Sequence, residues 1–466
     1  MPLAPTAPVT IAEIWSVIQQ LLCAEHIRAL LASHTQRFYE RVFTPWVVIW
    51  CLIYQRLHAD HRCSAVVSFM ASGGFDELAD THALPRSQRL ASLSTSAYCQ
   101  ARQRLPVELL TGLLTHSAEW MRHQAATDQD WLGHPVCVVD GSTLLLWPHA
   151  SLVAHYGRHQ TRCGTGYWLI PRLVAAFDLH SGAVLQVADG TYATSEQQLT
   201  ETLLHTAAPD SVWLGDANFG IFSLTQLLVQ RRAHAVWRLQ AKRAHALAKR
   251  VGLAHVLPDL DVPLLWRPSA KDRRHHPGLP HDPIPGRLLC VRIRTGTSRS
   301  RILYLFTTLT DADHYPAAEI AQLYGRRWTA ELCLRSLKST MGLERLACKS
   351  VDLVRKELYA TLLAYNLVRW LMLQAAQASA RPPTQLSFAT CWRSIAAVWC
   401  AARPPAGSSL LLSDWLLRLA AQRIPHRPPG RVEPRACHYK PQAYPVLKKS
   451  RNQERQRLQQ ELAENS

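Results

Sequence analysis

The chain has 466 residues, 48% hydrophobic and 18% charged, enough for several domains with a buried core and too apolar for an intrinsically disordered protein. Lys and Arg number 52 against 34 Asp and Glu, a formal net charge of +18, and a field of that sign draws polyanions, nucleic acid first among them. The 12 cysteines form no Cys-x-x-Cys pair, the start lacks a basic region followed by an apolar one, and no apolar run is long enough to span a bilayer, so a reduced, soluble, cytoplasmic protein is expected.

Residues from about 10 to 125 carry apolar side chains at three- and four-residue spacing, which predicts helices. Within them Ser94–Leu110 reads as a capped helix bearing Arg102 and Arg104, followed by a second helix after Pro106. The pattern changes at Pro135. The run VCVVD predicts a short buried strand ending in Asp140, and LVAAFDLHSGAVLQVADG predicts a hairpin turning at His180-Ser181-Gly182. Ser195–Ala207 fits a crossover helix, SVWLGD a second buried strand ending in Asp216, and IFSLTQLLVQR a helix. From about Val236 to Leu309 the pattern is β, with basic, turn-rich segments such as Lys271–Gly278 between the strands. One long helix is expected from about Pro316 to Thr340 and further helices over 350–421. A Pro- and Arg-rich tail follows, ending in a charged, helix-like segment. Strands, a hairpin and covering helices imply an α/β protein with a mixed sheet.

Asp140 and Asp216 thus stand at the ends of two central strands, where a carboxylate is held rigidly yet can reach a ligand. A lone aspartate there is more often a turn or cap residue. Two side by side repel, and a hard divalent cation relieves the repulsion through oxygen ligands. A third acid comes from AAEIAQLYGRRWTAELCLRSLK. On one continuous helix, Tyr324, Arg327, Glu331 and Lys338 fall within a stripe about 60° wide. A carboxylate flanked by a phenol, a guanidinium and an ammonium suits phosphate and metal. The plainer alternative is a solvated face with an Arg327–Glu331 ion pair at i,i+4.

These residues resemble the DDE transposases of bacterial insertion sequences, in the group with a Tyr-x2-Arg-x3-Glu-x6-Lys signature. Tyr324, Arg327, Glu331 and Lys338 keep every spacing, VVDGS holds Asp140, and LGDANFG holds Asp216. SAYCQARQRLP upstream and LLAYNLVRWLM downstream are also similar, so the likeness covers roughly 90–375. The resemblance implies a ribonuclease-H-like core with a β-rich domain inserted between the second aspartate and the glutamate. It implies that Asp140, Asp216 and Glu331 hold two Mg²⁺ ions (with Mn²⁺ as a substitute) for cleavage at transposon ends and strand transfer into target DNA. It gives Tyr324, Arg327 and Lys338 contacts to phosphates of the terminal inverted repeat. Trp328 resembles an aromatic that lies near a DNA hairpin or flipped base in some relatives; packing in the core is the alternative. A homodimer on paired ends, associated with the nucleoid when bound to DNA, is expected.

The expected division is a helical DNA-binding region at 1–125, the first part of the catalytic core at 126–235 and the β-rich insertion at 236–312. The rest of the core with the Glu331 helix follows at 313–350, then a helical region at 351–422 and a basic tail at 423–466, a candidate for dimerisation. Weaker signals lead nowhere by themselves. His155 and His159 are spaced i,i+4 but lack an HExxH glutamate, CGTGYW reads as a turn, and Ser142 lacks a hydrolase elbow. The pairs Lys242-Arg243, Lys249-Arg250 and Arg273-Arg274, with Arg292 and Arg294, are candidates for a DNA-tracking surface.

Overall fold

The computed structural model describes residues 18, 20–22, 24–32, 41–76, 78, 84–125, 130–161, 164–294, 300–344, 346–379, 381–400, 412–424 and 449–464. The chain start, most of the Pro- and Arg-rich tail and the side chain of Arg294 lie outside the described residues.

The N-terminal region is helical, as its spacing predicts: α1 (Ala24–Ala32), α2 (Pro45–Leu57), α3 (Cys63–Ala71), α4 (Arg86–Arg89), α5 (Ser96–Arg104) and α6 (Val107–Gln124). In α2 the Thr44 hydroxyl accepts the Val47 N–H and Pro45 occupies the first turn, where its missing N–H costs nothing. The predicted cap of α5 differs. Thr95 makes no side-chain cap, and the Ser96 N–H donates instead to Ser94 Oγ at 3.3 Å.

Strands β1 (Val136–Thr143), β4 (Arg172–Asp178), β5 (Val184–Gly190), β6 (Val212–Gly215) and β7 (His234–Arg238) form the centre of one sheet in the order β5-β4-β1-β6-β7. β1, β4 and β5 pair antiparallel, whereas β6 and β7 run parallel to β1. Helix α8 (Glu196–Leu204) makes the crossover from β5 to β6, and α9 (Phe222–Gln230) that from β6 to β7. An antiparallel triplet extended by two parallel strands, with helices on its faces, is the ribonuclease-H-like arrangement. The same sheet continues outward through β10 (Ser300–Thr307), β9 (Ile284–Arg294) and β8 (Leu260–Trp266), so the strands after β7 lengthen the core sheet at one edge. A small hairpin, β2 (Gln160–Thr161) with β3 (Gly164–Thr165), and helix α7 (Ala150–Tyr156) stand between β1 and β4.

Two elements depart from the sequence pattern here. Residues Ala241–Arg250 form helix α10, and Ala270–His275 form α11 behind a Ser269/Asp272 capping box. Ala, Lys and Arg are strong helix formers, and α10 buries Ala244, Leu247 and Ala248 against the sheet. The long helix expected over 316–340 is also broken: α12 (Ala317–Gly325) stops, α13 (Trp328–Arg335) restarts, and a π-helical turn follows at Ser336–Thr340. Helix α14 (Val351–Ala378) is almost wholly buried along its middle, followed by α15 (Phe388–Cys400) and α16 (Leu412–Ala421); α17 (Arg451–Glu464) is the charged C-terminal helix.

The sheet has two apolar faces. Cys137, Val139, Val174, Ala176 and Trp213 look toward α8 and α9. Val136, Val138, Ala175, Phe177, Val212 and Leu214 look toward α13, α14 and the N-terminal helices. Alternation along a strand sets which face each acid joins. No helix among the described residues is long and apolar enough to cross a membrane.

Candidate active site

Register brings the two aspartates together. Val136, Cys137 and Val138 pair with Val212, Trp213 and Leu214, so Asp140 and Asp216 come abreast on parallel neighbours. Asp140 shares its face with Val136 and Val138, and Asp216 shares its face with Val212 and Leu214. β1 does not end at Asp140 as its sequence suggests. It runs on to Thr143 because β4 keeps pairing, Asp140 with Ala175 and Thr143 with Arg172. β6 does stop before Asp216, whose carboxylate accepts the Asn218 N–H at 2.8 Å.

Helix α13 packs against β1 on that same face and carries Glu331. Arg327, the residue before α13, donates to Glu331 Oε1 at 2.6 Å and lies 4.0 Å from Asp140 Oδ2. The break in the helix therefore replaces the single stripe by a corner. Tyr324 closes α12, Arg327 turns the chain, Glu331 sits one turn into α13, and half-buried Lys338 lies in the π-turn. Trp328 does not pack in the core: it is 55% exposed.

The electrostatics follow first from burial and then from neighbouring charge. Burial raises the Asp140 pKa, the Gly141 N–H and Arg327 oppose this, and Asp216 and Glu331 add repulsion, leaving it at about 6. Burial also pushes Tyr324 up to about 12 despite Arg327 and Arg238 nearby. Burial works against the Arg327 charge, but Glu331, Tyr324 and Asp140 outweigh it and raise its pKa. Asp140 and Glu331 share the Arg327 guanidinium and Asp216 stands abreast of Asp140, a hard-oxygen set that suits Mg²⁺ or Mn²⁺. Among the described residues no three such side chains enclose a metal position as they stand, since Arg327 draws Glu331 to itself.

Sequence reasoning passed over a second layer behind the acids. Asn218 donates to Glu196 Oε2 at 2.6 Å and accepts from Gln197 Nε2 through its backbone and side-chain oxygens at 2.9 and 2.8 Å. Glu196 opens α8 behind the Ser195/Gln198 capping box and fills the space where Gly141 has no side chain. The available signals were the Asp-x-Asn turn after a strand and the Ser-x-x-Gln box before a helix. Gly141→Ala would drive a methyl group into the Glu196 carboxylate. It is expected to free Asn218, loosen Asp216 and lower turnover about 10-fold or more, while the melting temperature moves little; unchanged turnover would show that Glu196 does not brace the site.

A ribonuclease-H-like sheet that carries two aspartates on adjacent parallel strands and a glutamate on the helix above them has the carboxylate arrangement that phosphoryl transfer on nucleic acid would use. The family model described as Transposase DDE domain matches residues 131–367, and the chain belongs to that family of DNA-cleaving, strand-transferring enzymes. It is 28% identical over 368 residues to the transposase InsG of insertion sequence element IS4 from Escherichia coli K12, covering 78% of this chain and 77% of the relative. A structure of the piggyBac transposase synaptic complex with hairpin DNA is 11% identical and spans 90% of this chain and 87% of that one, at a TM-score of 0.43, too loose a likeness to add to the assignment.

Proposed function

We propose that Asp140, Asp216 and Glu331 are the catalytic acids of this transposase, and that it cuts at the terminal inverted repeats of its element and joins the ends to target DNA as a homodimer. The observation that carries the reading is the convergence of three carboxylates on one face of the sheet where β1 meets β6; there burial first, with Asp216 and Glu331 adding to it, lifts Asp140 to a pKa of about 6. These acids would hold two Mg²⁺ ions, with Mn²⁺ as a substitute; such ions, when bound, activate the attacking oxygen and stabilise the leaving one. The Arg327–Glu331 pair stands in the way, so Glu331 turns from Arg327 when it becomes a ligand, and Arg327 is then free for a phosphate. Tyr324, which lies near Arg327, and Lys338 serve the same DNA end in this reading, and the exposure of Trp328 supports a contact to a base.

Asp216→Ala and Glu331→Ala are expected to abolish cleavage while leaving DNA affinity within about 3-fold, since neither acid faces phosphate except through metal. Gel-shift and cleavage assays on one labelled fragment read both quantities. Equal loss of binding and cleavage would reject the assignment. A nuclease that only hydrolyses has no need of the Tyr324, Arg327 and Lys338 clamp, and joined products separate that alternative.

A cleft of about 550 Å³ lies between the starts of α8 and α9 and the inserted elements, and its lining includes Arg243, Arg250, Arg267, Lys271, His275 and His276. It adjoins the site through Gln197, which both lines it and holds Asn218. We assign the duplex backbone to this cleft. Arg267→Ala and Lys271→Ala are each expected to lower the slope of log affinity against log salt by about 1. An unaltered slope in the double variant would remove the cleft from the DNA path.

A further inference from the structure

Beyond the ends of β1 and β5 lies a band of aromatic side chains that the reaction chemistry does not use. Trp147 packs on Trp168 with ring centroids 4.5 Å apart, and Trp168 meets Tyr167 edge-on at 5.6 Å. His159 lies 5.4 Å from Tyr192, and the Arg172 guanidinium sits 5.3 Å above the same Tyr192 ring. Residues 164–168, from the segment CGTGYW that reads from sequence as a plain turn, join the two halves. The Gly166 N–H donates to the His159 carbonyl at 2.9 Å, and a side chain on Gly166 would collide with the His159 ring.

The rings are held from below and open above. Leu146 and Leu169 are buried and bridged, fixing the bases of Trp147 and Trp168, yet Trp147 is 50% exposed, Tyr167 59% and Tyr192 43%. Single exposed aromatics are ordinary; a joined set anchored to the sheet is a binding surface. Its position ties it to the catalytic edge. Arg172 pairs with Thr143 on one side and Gly190 on the other, and Thr143 is three residues past Asp140, on the order of 10 Å along the strand. Its composition points to one kind of occupant. In the stretch from 133 to 228 the exposed large apolar side chains among the described residues are the aromatics Trp147, Tyr167 and Tyr192, and Arg172 and His159 both sit against Tyr192. Flat π-faces interleaved with cations suit nucleobases, which stack on rings whatever their sequence. A protein partner would call for aliphatic side chains packed among the rings.

We propose that this band is a stacking platform for unpaired bases of the DNA strand that passes the catalytic edge. It deepens the transposase reading and rests on it for the identity of the nucleic acid, but binding can be measured without cleavage. The probes are a fluorescein-labelled single-stranded 20-mer of mixed sequence, the same oligomer with abasic sites, and its duplex, each titrated with the full chain in EDTA. Trp147→Ala/Tyr192→Ala is expected to weaken binding of the single strand about 10-fold or more, and of the abasic strand or the duplex by less than about 2-fold. Trp147→Phe/Tyr192→Phe, which keeps the rings and guards against a folding defect, is expected to restore single-strand affinity. Equal weakening on all three probes, no weakening, or failure of the Phe pair to rescue would overturn the proposal. So would light scattering in which the Ala pair loses self-association while single-strand affinity holds, since the face would then join copies of the chain. Cleavage lost in Asp140→Asn with single-strand binding retained separates a failure here from a failure of the catalytic assignment.

Discussion

Asp140→Asn is expected to make the metal-free protein more stable while removing cleavage by at least about 1000-fold. The carboxyl of Asp140 has a pKa of about 6 in the folded chain, above the value of about 3.9 for an exposed aspartate. The folded state therefore holds the proton more tightly than the unfolded chain, and ionising Asp140 costs stability. That cost is absent below about pH 4, develops as pH rises to about 6 and is complete at neutral pH, where the shift of about two units corresponds to roughly 2–3 kcal/mol. The amide escapes it and keeps an oxygen for the Gly141 N–H, which donates to Asp140 Oδ1 at 2.9 Å. Melting curves in EDTA at pH 4.5 and pH 7.5 check the sign: the variant gains on the parent at the higher pH and converges with it at the lower. Mg²⁺ is expected to reverse the order at pH 7.5, because the cation stabilises only the chain that keeps its ligands. An Asn variant less stable than the parent in EDTA at pH 7.5 would mean that burial does not hold the Asp140 carboxyl above its ordinary pKa.

Asn366→Leu is expected to carry the largest stability loss, on the order of 3–5 kcal/mol, because it leaves buried polar atoms unpaired. Asn366 is fully buried on α14, and its side chain takes the place of a neighbouring strand at the start of β5. The Val184 N–H donates to Asn366 Oδ1 at 2.8 Å, and Asn366 Nδ2 donates to the Val184 carbonyl at 2.9 Å and to Ser117 Oγ at 3.0 Å. One amide thus joins α14, the outer strand of the sheet and α6. Its neighbours on the helix fasten the β4–β5 turn: the Tyr365 hydroxyl donates to the Gly182 carbonyl at 2.9 Å, and Arg369 Nε donates to that hydroxyl at 2.8 Å. Gly182 holds a φ of +73°, a backbone shape glycine adopts without strain. Leucine matches the volume but meets none of these groups. Urea midpoints for Asn366→Leu and Asn366→Asp read the effect, and a midpoint unchanged in the Leu variant would mean water replaces the amide.

Much of this was legible because the signals were local. Buried apolar runs marked β1 and β6, the His180-Ser181-Gly182 turn marked the β4–β5 hairpin, and the hairpin and β6 were each followed by a helix of recognisable period. The placement of Asp140 on one central strand and of Asp216 at the end of the next could be read from that pattern, and Glu331 from the signature spacing. The misses share a physical cause, which is tertiary pairing. β1 reaches Thr143 only because β4 offers it partners. α10 lay hidden among strands because its basic residues looked like loop until a sheet supplied an apolar floor. The helix bearing Glu331 breaks at Arg326–Arg327, which turns a stripe into a corner and lets Arg327 reach both Glu331 and Asp140. Glu196, Asn218 and the aromatic band gain meaning only from neighbours far away in the chain.

The central claim is that these acids cut DNA at defined ends, and one measurement tests it most directly. The DNA flanking the coding region is read for short inverted repeats, labelled at the repeat ends and incubated with the full chain and Mg²⁺. Nicks are expected at the repeat ends, lost with EDTA and with Glu331→Ala, and joined products when target DNA is added. Cutting that persists in Glu331→Ala, or that ignores the repeat ends, would contradict it.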